Sequence, residues 1–274
     1  MGRRVIFALL ITLVILSVTR RMSMNRPRDV EVNADGIKIY HRTVTEQVGP
    51  GKPVVKVRVT PPEGVVCSIE LRDVNGEVEE IEMEGVNGDV WRAFLPELDK
   101  GKKVGYAVLV SSTGGFSRRL PQEPGKYYVV KYKGKVSGFV LVSHIAFMFG
   151  SFFFMVLSFF GAVRILRGME DKRVTANLVR WVLLLTFVGG WPLGWILNYQ
   201  AFGVLWEGFP FGYDVTDNKT QIMFIFWIVT SILAGGSVFR GDESSDRLSP
   251  RGFAIAVIVS VLVSIGVFLI PHSI

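Results

Sequence analysis

The sequence predicts a membrane protein of the α + β class: an N-terminal anchor helix, an extracytoplasmic all-β sandwich and a C-terminal four-helix transmembrane bundle. Three observations carry this. Of 274 residues, 49% are hydrophobic and 20% charged, too apolar a balance for a disordered chain. Five apolar runs occur, one near the N-terminus and four beyond residue 135. Between them the pattern changes to a period of two, the signature of half-buried strands. The expected boundaries are 1–21 for the anchor, 22–135 for the β domain and 136–274 for the bundle.

The first run, Val5–Thr19, has 15 residues and is bracketed by Arg3, Arg4, Arg20 and Arg21. At ~1.5 Å per residue it rises roughly 22 Å, short of a ~30 Å hydrocarbon core. It reads as an uncleaved anchor, with a cleaved signal peptide as the alternative. No A-x-A-like site precedes Arg20. The remaining runs, Val136–Val163, Leu178–Leu197, Gln221–Val238 and Gly252–Ile270, are long enough to cross a bilayer. Gly189-Gly190-Trp191-Pro192 inside the third predicts a kink or break, because proline removes a backbone hydrogen bond.

In the central segment, Val55, Val57 and Val59 alternate with Lys56 and Arg58, and Cys67, Ile69 and Leu71 alternate with Ser68 and Glu70. Further strands are expected at Ile37–His41, Val78–Met83, Val90–Leu95, Val104–Ser111 and Tyr127–Tyr132. Turn signals punctuate them: Pro61-Pro62-Glu63-Gly64, Asn75-Gly76, Asn87-Gly88, Lys100-Gly101 and Gly114-Gly115. About seven short strands at this spacing describe a β-sandwich. Residues 28–133 thereby resemble an immunoglobulin-like or fibronectin-III-like module, which implies Trp91 as a core anchor. The resemblance rests on spacing and does not extend to the membrane region. Cys67, the single cysteine, excludes an intrachain disulfide and is expected to point into the core.

Orientation follows from the basic residues. With the N-terminus inside, Arg3, Arg4, Arg164, Arg167, Lys172, Arg173, Arg180, Arg240, Arg247 and Arg251 lie on the inner side, and the short outer loop holds only Lys219. That asymmetry places the N-terminus in the cytoplasm, with 22–135 and the C-terminus extracytoplasmic, in a prokaryotic plasma membrane. Arg20, Arg21, Arg26, Arg28, Lys126, Lys131, Lys133 and Lys135 flank the domain on its own side, where long translocated segments obey the rule weakly. Basic residues at membrane edges account for the net charge of +7, so no nucleic-acid partner is expected; lipids and other membrane subunits are.

Nucleophilic or metal catalysis has no motif here: there is no G-x-S-x-G, H-E-x-x-H, Walker loop or G-x-G-x-x-G after a strand. No catalytic or metal-ligating residues are therefore expected. His144 lies about eight residues into the second run, where an ionisable side chain faces a bundle interior or a ligand. Its helical stripe continues through Met148, Ser151, Met155, Ser158 and Ala162. Two uses stand open: packing against a neighbouring helix, or contact with a b-type haem or a quinone, with His272 as a second candidate on the same side. His41 falls in a predicted strand.

The segment containing Trp206, Glu207, Phe209, Phe211, Tyr213, Asp214 and Asp217 is read as an interaction loop, four aromatics being set among Gly208, Pro210 and Gly212. Asp217 is expected to cap the following helix; three carboxylates holding a hard cation is the other possibility. The expected function is a non-catalytic integral subunit of a larger membrane assembly, a respiratory or electron-transfer complex, with the β domain docking partners. The alternatives are a haem- or quinone-binding electron-transfer protein using His144, and a solute transporter or receptor.

Overall fold

The computed structural model describes residues 2–24 and 26–270, so His272 lies outside it. The chain is α + β, with an N-terminal helix, a central β region and several apolar helices, and it divides into two compact units. One unit joins the helix before residue 25 to the segments 136–199 and 204–270, and the other comprises 26–135 with 200–203.

In the helical unit, α1 (Gly2–Ser23) presents Ala8, Thr12, Leu16 and Thr19 inward, spaced three to four residues apart as one helical face requires. Arg20 and Arg21 occupy its last turn, complementing the helix dipole. Next come α2 (Gly138–Leu166) and α3 (Lys172–Val188). A π-helical turn (Gly189–Leu193) leads from α3 into α4 (Gly194–Phe202). Pro192 lies inside that turn, so the kink expected at Gly189-Gly190-Trp191-Pro192 takes the form of a π-bulge. Then α5 (Val215–Ala234), α6 (Gly236–Phe239) and α7 (Pro250–Leu269) complete the unit.

Four helical runs are long and apolar enough to cross a membrane among the described residues: Gly2–Ser23, Gly138–Leu166, Lys172–Phe202 and Pro250–Leu269. The sequence suggested a fifth at Gln221–Val238. There α5 ends at Ala234, because Gly235 adopts φ +65 and the chain breaks into the short α6. Polar residues fill its first two turns, and the apolar remainder from Ile222 to Ala234 rises only roughly 20 Å.

Hydroxyls and an indole bind these helices together, adding directional contacts to the apolar packing. Trp227 Nε1 donates to Ser264 Oγ at 2.9 Å, and Thr230 and Ser260 share a hydroxyl pair at 2.8 Å, joining α5 to α7. Ser151 and Thr186 do the same between α2 and α3. Of the His144 stripe, Ser151, Met155, Ser158 and Ala162 are buried, so it is the packing face of α2. Gly161 allows a close approach to α3: a Cβ there would overlap Thr175 Oγ1. Gly161→Ala should therefore lower the thermal unfolding midpoint of the solubilised protein by several degrees, an overpacking effect of ~1–3 kcal/mol.

Among its described residues the β unit contains eleven strands, β1 (Asp29–Ala34), β2 (Ile37–Arg42), β3 (Glu46–Val48), β4 (Val54–Thr60), β5 (Val65–Arg72), β6 (Val78–Glu82), β7 (Glu84–Asn87), β8 (Val90–Phe94), β9 (Lys103–Ser112), β10 (Ser117–Leu120) and β11 (Tyr128–Lys133). They form a sandwich-like pair of sheets, one in the order β1-β2-β4-β8-β7 and the other β3-β11-β9-β5-β6, with β10 paired to β9. The alternating residues do what their period implies: Val55, Val57, Val59, Cys67, Ile69 and Leu71 are all core, and Trp91 is 9% exposed. Burial pushes the Cys67 thiol up to about 12, so it stays protonated and unreactive at neutral pH.

Candidate functional site

His144 stands in the first third of α2, opposite the π turn. Its Nδ1 lies 2.9 Å from the Gly189 carbonyl, so Nδ1 carries the proton and donates. The contact crosses 45 residues of sequence. It is possible because Gly189 has no side chain: a Cβ there would press on Met148 Sδ at 2.9 Å and Phe147 Cβ at 3.1 Å. A neutral ring is thus held in the Nδ1–H tautomer, with its lone pair on Nε2. Among the described residues, Nε2 has no hydrogen-bond partner.

The segment between α4 and α5 is tightly built. Asp214, not Asp217, is the N-cap of α5, accepting from the amides of Thr216 and Asp217. Asp217 sits one turn later and is buried. Its carboxylate reaches back to the Glu207 amide at 2.7 Å and to Asn198 Nδ2 at 3.1 Å. Asn218 Oδ1 accepts from the Phe209 amide at 2.7 Å. Thus Asp217 and Asn218 hold the loop rather than the helix end. Among the described residues no group of three His, Cys, Asp or Glu side chains gathers as a metal site, and Oδ1 of Asp214 and both carboxylate oxygens of Asp217 are engaged by amides.

The loop's aromatics divide. Trp206 turns inward and stacks on Trp191 at 6.0 Å between ring centres, continuing to Phe224 and Phe187. Phe209, Phe211 and Tyr213 face outward, the last two 84% and 90% exposed, and Leu205 is exposed as well. Glu207 is exposed as a side chain and contributes its backbone to the Asp217 contact.

At the other end of the same helices lies a charged knot that the sequence does not announce. Lys172 and Asp246, 3% and 6% exposed at their side chains, form an ion pair of 2.5 Å. Lys172 also donates to the Leu248 carbonyl at 3.0 Å and lies over the Phe253 ring, while Asp246 accepts from the Ser237 amide at 2.7 Å and from its hydroxyl. Burial pushes the Asp246 carboxyl up, but the hydrogen bonds from Lys172 and Ser237 outweigh it and hold the group below the usual carboxylate range. Arg180 donates to the carbonyls of Ser237 and Val238, which explains an arginine within the third apolar run. Glu170 accepts from Arg4 at 2.6 Å and from Arg164 at 2.8 Å, so α1 is tied to the α2–α3 turn.

No protein-family profile matches this chain, and no curated protein is similar to it.

Proposed function

We propose that this chain is a non-catalytic integral membrane subunit of a larger assembly, its β unit outside the cytoplasm and serving to dock partners. The observation that carries this is the loop before α5. Its backbone is fixed by Asp214, Asp217 and Asn218, yet Leu205, Phe209, Phe211 and Tyr213 face outward. Rigid, exposed aromatics at this density mark an interaction surface. Electron transfer is the kind of assembly that His144 suggests.

In this reading the bundle has five crossings. Supporting the fifth, α5 runs alongside α7 for its whole length: Lys219 near its start donates to the Ile270 carbonyl, and Thr230 near its end meets Ala256 and Ser260. The β unit supports an immunoglobulin-like assignment. Strands β2-β4-β8-β7 follow the A-B-E-D order, and β5-β9-β11 the C-F-G order, with β6 in the place of C′. The uncleaved anchor is supported by the Arg4–Glu170 pair and by the buried face of α1, which a removed signal peptide would not need.

Two results test this. Protease added to right-side-out vesicles should cut within 26–135 and spare the loop at 164–173; protection of 26–135 contradicts the orientation. The double variant Phe209→Ala/Phe211→Ala should lose copurifying partners, weakened by about 2–4 kcal/mol as paired aromatic anchors are. Retention of every partner at wild-type stoichiometry makes the loop a headgroup anchor instead.

One observation favours a second reading, in which His144 holds a b-type haem or a quinone. An Nδ1–H given to a backbone carbonyl leaves Nε2 as the free lone pair, the arrangement seen in imidazoles that ligate iron or accept a ligand's proton. A Soret band in the purified chain, lost in His144→Ala, is its expected signature. A colourless chain with no extractable quinone contradicts it.

A further inference from the structure

The outer face of the β1-β2-β4-β8-β7 sheet carries cations where strand pairing makes them costly. Lys56 lies directly opposite Arg92, and the His41↔Val57 register sets Arg42 beside Lys56 on the other flank. Three positive side chains therefore form a row across β2, β4 and β8, with Arg58 in the next row opposite Tyr40. Like charges directly opposite one another destabilise a sheet.

The anions nearby are already engaged. Arg92 pairs with Glu84 and Arg58 with Asp89, each at 3.3 Å, and Glu46 pairs with Lys133 at 2.7 Å. Asp29 lies opposite Arg42 but accepts the Tyr40 hydroxyl at 2.7 Å. Among the described residues the side chains of Arg42 and Lys56 make no ion pair or hydrogen bond.

These same residues line a cleft of about 540 Å³, where Arg42, Lys56, Arg58 and Tyr40 meet the apolar Val44 and Val54. A single inorganic oxyanion needs far less room, and a volume of this order suits a ligand of several groups. Cations beside valines match a segment whose carboxylates are interleaved with apolar side chains.

We propose that this cleft docks an acidic peptide segment of a partner protein, its carboxylates on Arg42, Lys56 and Arg58 and its apolar side chains on Val44 and Val54. The proposal rests on the partner-docking reading of the chain and assigns that docking a surface and a chemistry. The guanidinium forks of Arg42 and Arg58 suit bidentate carboxylate contacts. Binding weakens as salt rises, because the cleft is open.

The test uses the full chain in nanodiscs of neutral phosphatidylcholine and a decapeptide of alternating Glu and Val. Saturable binding is expected, weakened about tenfold or more in Arg42→Glu/Lys56→Glu, where attraction becomes repulsion at two sites. A Lys-Val decapeptide should not bind. Arg42→Gln/Lys56→Gln should also weaken binding while melting no lower than wild type, since it relieves the like-charge row; a purely structural role for these residues requires a lower melting point. Three results overturn the proposal: no binding of the Glu-Val peptide, equal affinity in the charge-reversed variant, or binding of inorganic phosphate or phosphatidylglycerol vesicles as tight as that of the peptide. Copurification from native membranes separates the two levels. Partners retained equally by wild type and the charge-reversed variant sink the cleft alone, whereas a wild-type chain that copurifies nothing sinks the docking reading as well.

Discussion

Asp246→Ala should be among the most damaging single substitutions outside the apolar helices, lowering stability by about 3–5 kcal/mol. The carboxylate is the partner of a lysine that has almost no access to water. Removing it leaves the Lys172 ammonium with only the Leu248 carbonyl and the face of Phe253, and strands the Ser237 amide and hydroxyl. Replacing both partners, as Lys172→Met/Asp246→Leu, removes the uncompensated charge and should recover most of the loss. Thermal unfolding of the detergent-solubilised protein measures both, and trypsin cleavage at Arg240, Arg247 and Arg251 reports where the opening occurs. The same pair sets an acid limit. Because the folded carboxyl titrates below its unfolded range, its contribution is complete above about pH 4 and is lost as pH falls through the lower folded value. A single Asp246→Ala variant as stable as wild type would show that the knot carries no energy.

Tyr106→Phe is the second large effect, expected at about 2–4 kcal/mol from two stranded polar groups at ~1–3 kcal/mol each. In the β core, His41 is fully buried, with Nδ1 2.9 Å from the Lys56 carbonyl and Nε2 2.9 Å from the Tyr106 hydroxyl. The Val44 amide donates to that same hydroxyl at 2.8 Å. With a neutral ring, one proton arrangement satisfies all three contacts: His41 gives Nδ1–H to Lys56, and Tyr106 gives its O–H to Nε2 while accepting from Val44. Burial pushes the imidazole's pKa down, which favours that neutral form. Hydrogen exchange of β2 and β9 in the full chain should accelerate about a hundredfold in Tyr106→Phe. The neutral ring also gives the β unit a pH dependence. Its contribution is present above about pH 6.5 and is lost as pH falls from there through the depressed folded value, since the unfolded chain binds the proton first. His41→Gln should abolish that slope; an unchanged slope places it elsewhere.

These two clusters also show what a linear reading reaches. Strands β4 and β5 are legible because Val55 to Leu71 alternate with charge, and burial follows that period. β1 carries the same pattern in Val30, Val32 and Ala34 and is legible too, although it is not among the strands named from sequence. β7 and β10 are not, because Glu84–Asn87 is exposed throughout and Ser117–Leu120 buries only its last residue. Apolar content alone marks α1, α2 and α7, but it overruns the end of α5, where Gly235-Gly236 interrupts the helix. His144 is conspicuous as a polar residue in an apolar run, while its Gly189 partner is visible only when α2 and α3 are packed. The Lys172–Asp246 pair spans 74 residues, and nothing local joins the two. Arg42 and Lys56 look like ordinary outward strand positions until the register sets them side by side. Of the aspartates at the start of α5, the three-residue difference between Asp214 and Asp217 decides cap against loop anchor, and only backbone geometry resolves it.

Native mass measurement reads directly whether this chain docks other proteins in a larger membrane assembly. Membranes are extracted into polymer-bounded lipid discs without detergent, the chain is captured through an affinity tag, and the particle is weighed and its components identified. The proposed docking role requires a particle heavier than the 30.6 kDa chain by at least one different protein in fixed ratio, with that protein released by Phe209→Ala/Phe211→Ala or by Arg42→Glu/Lys56→Glu. A particle containing only this chain and lipid, unchanged by either double variant, would contradict it.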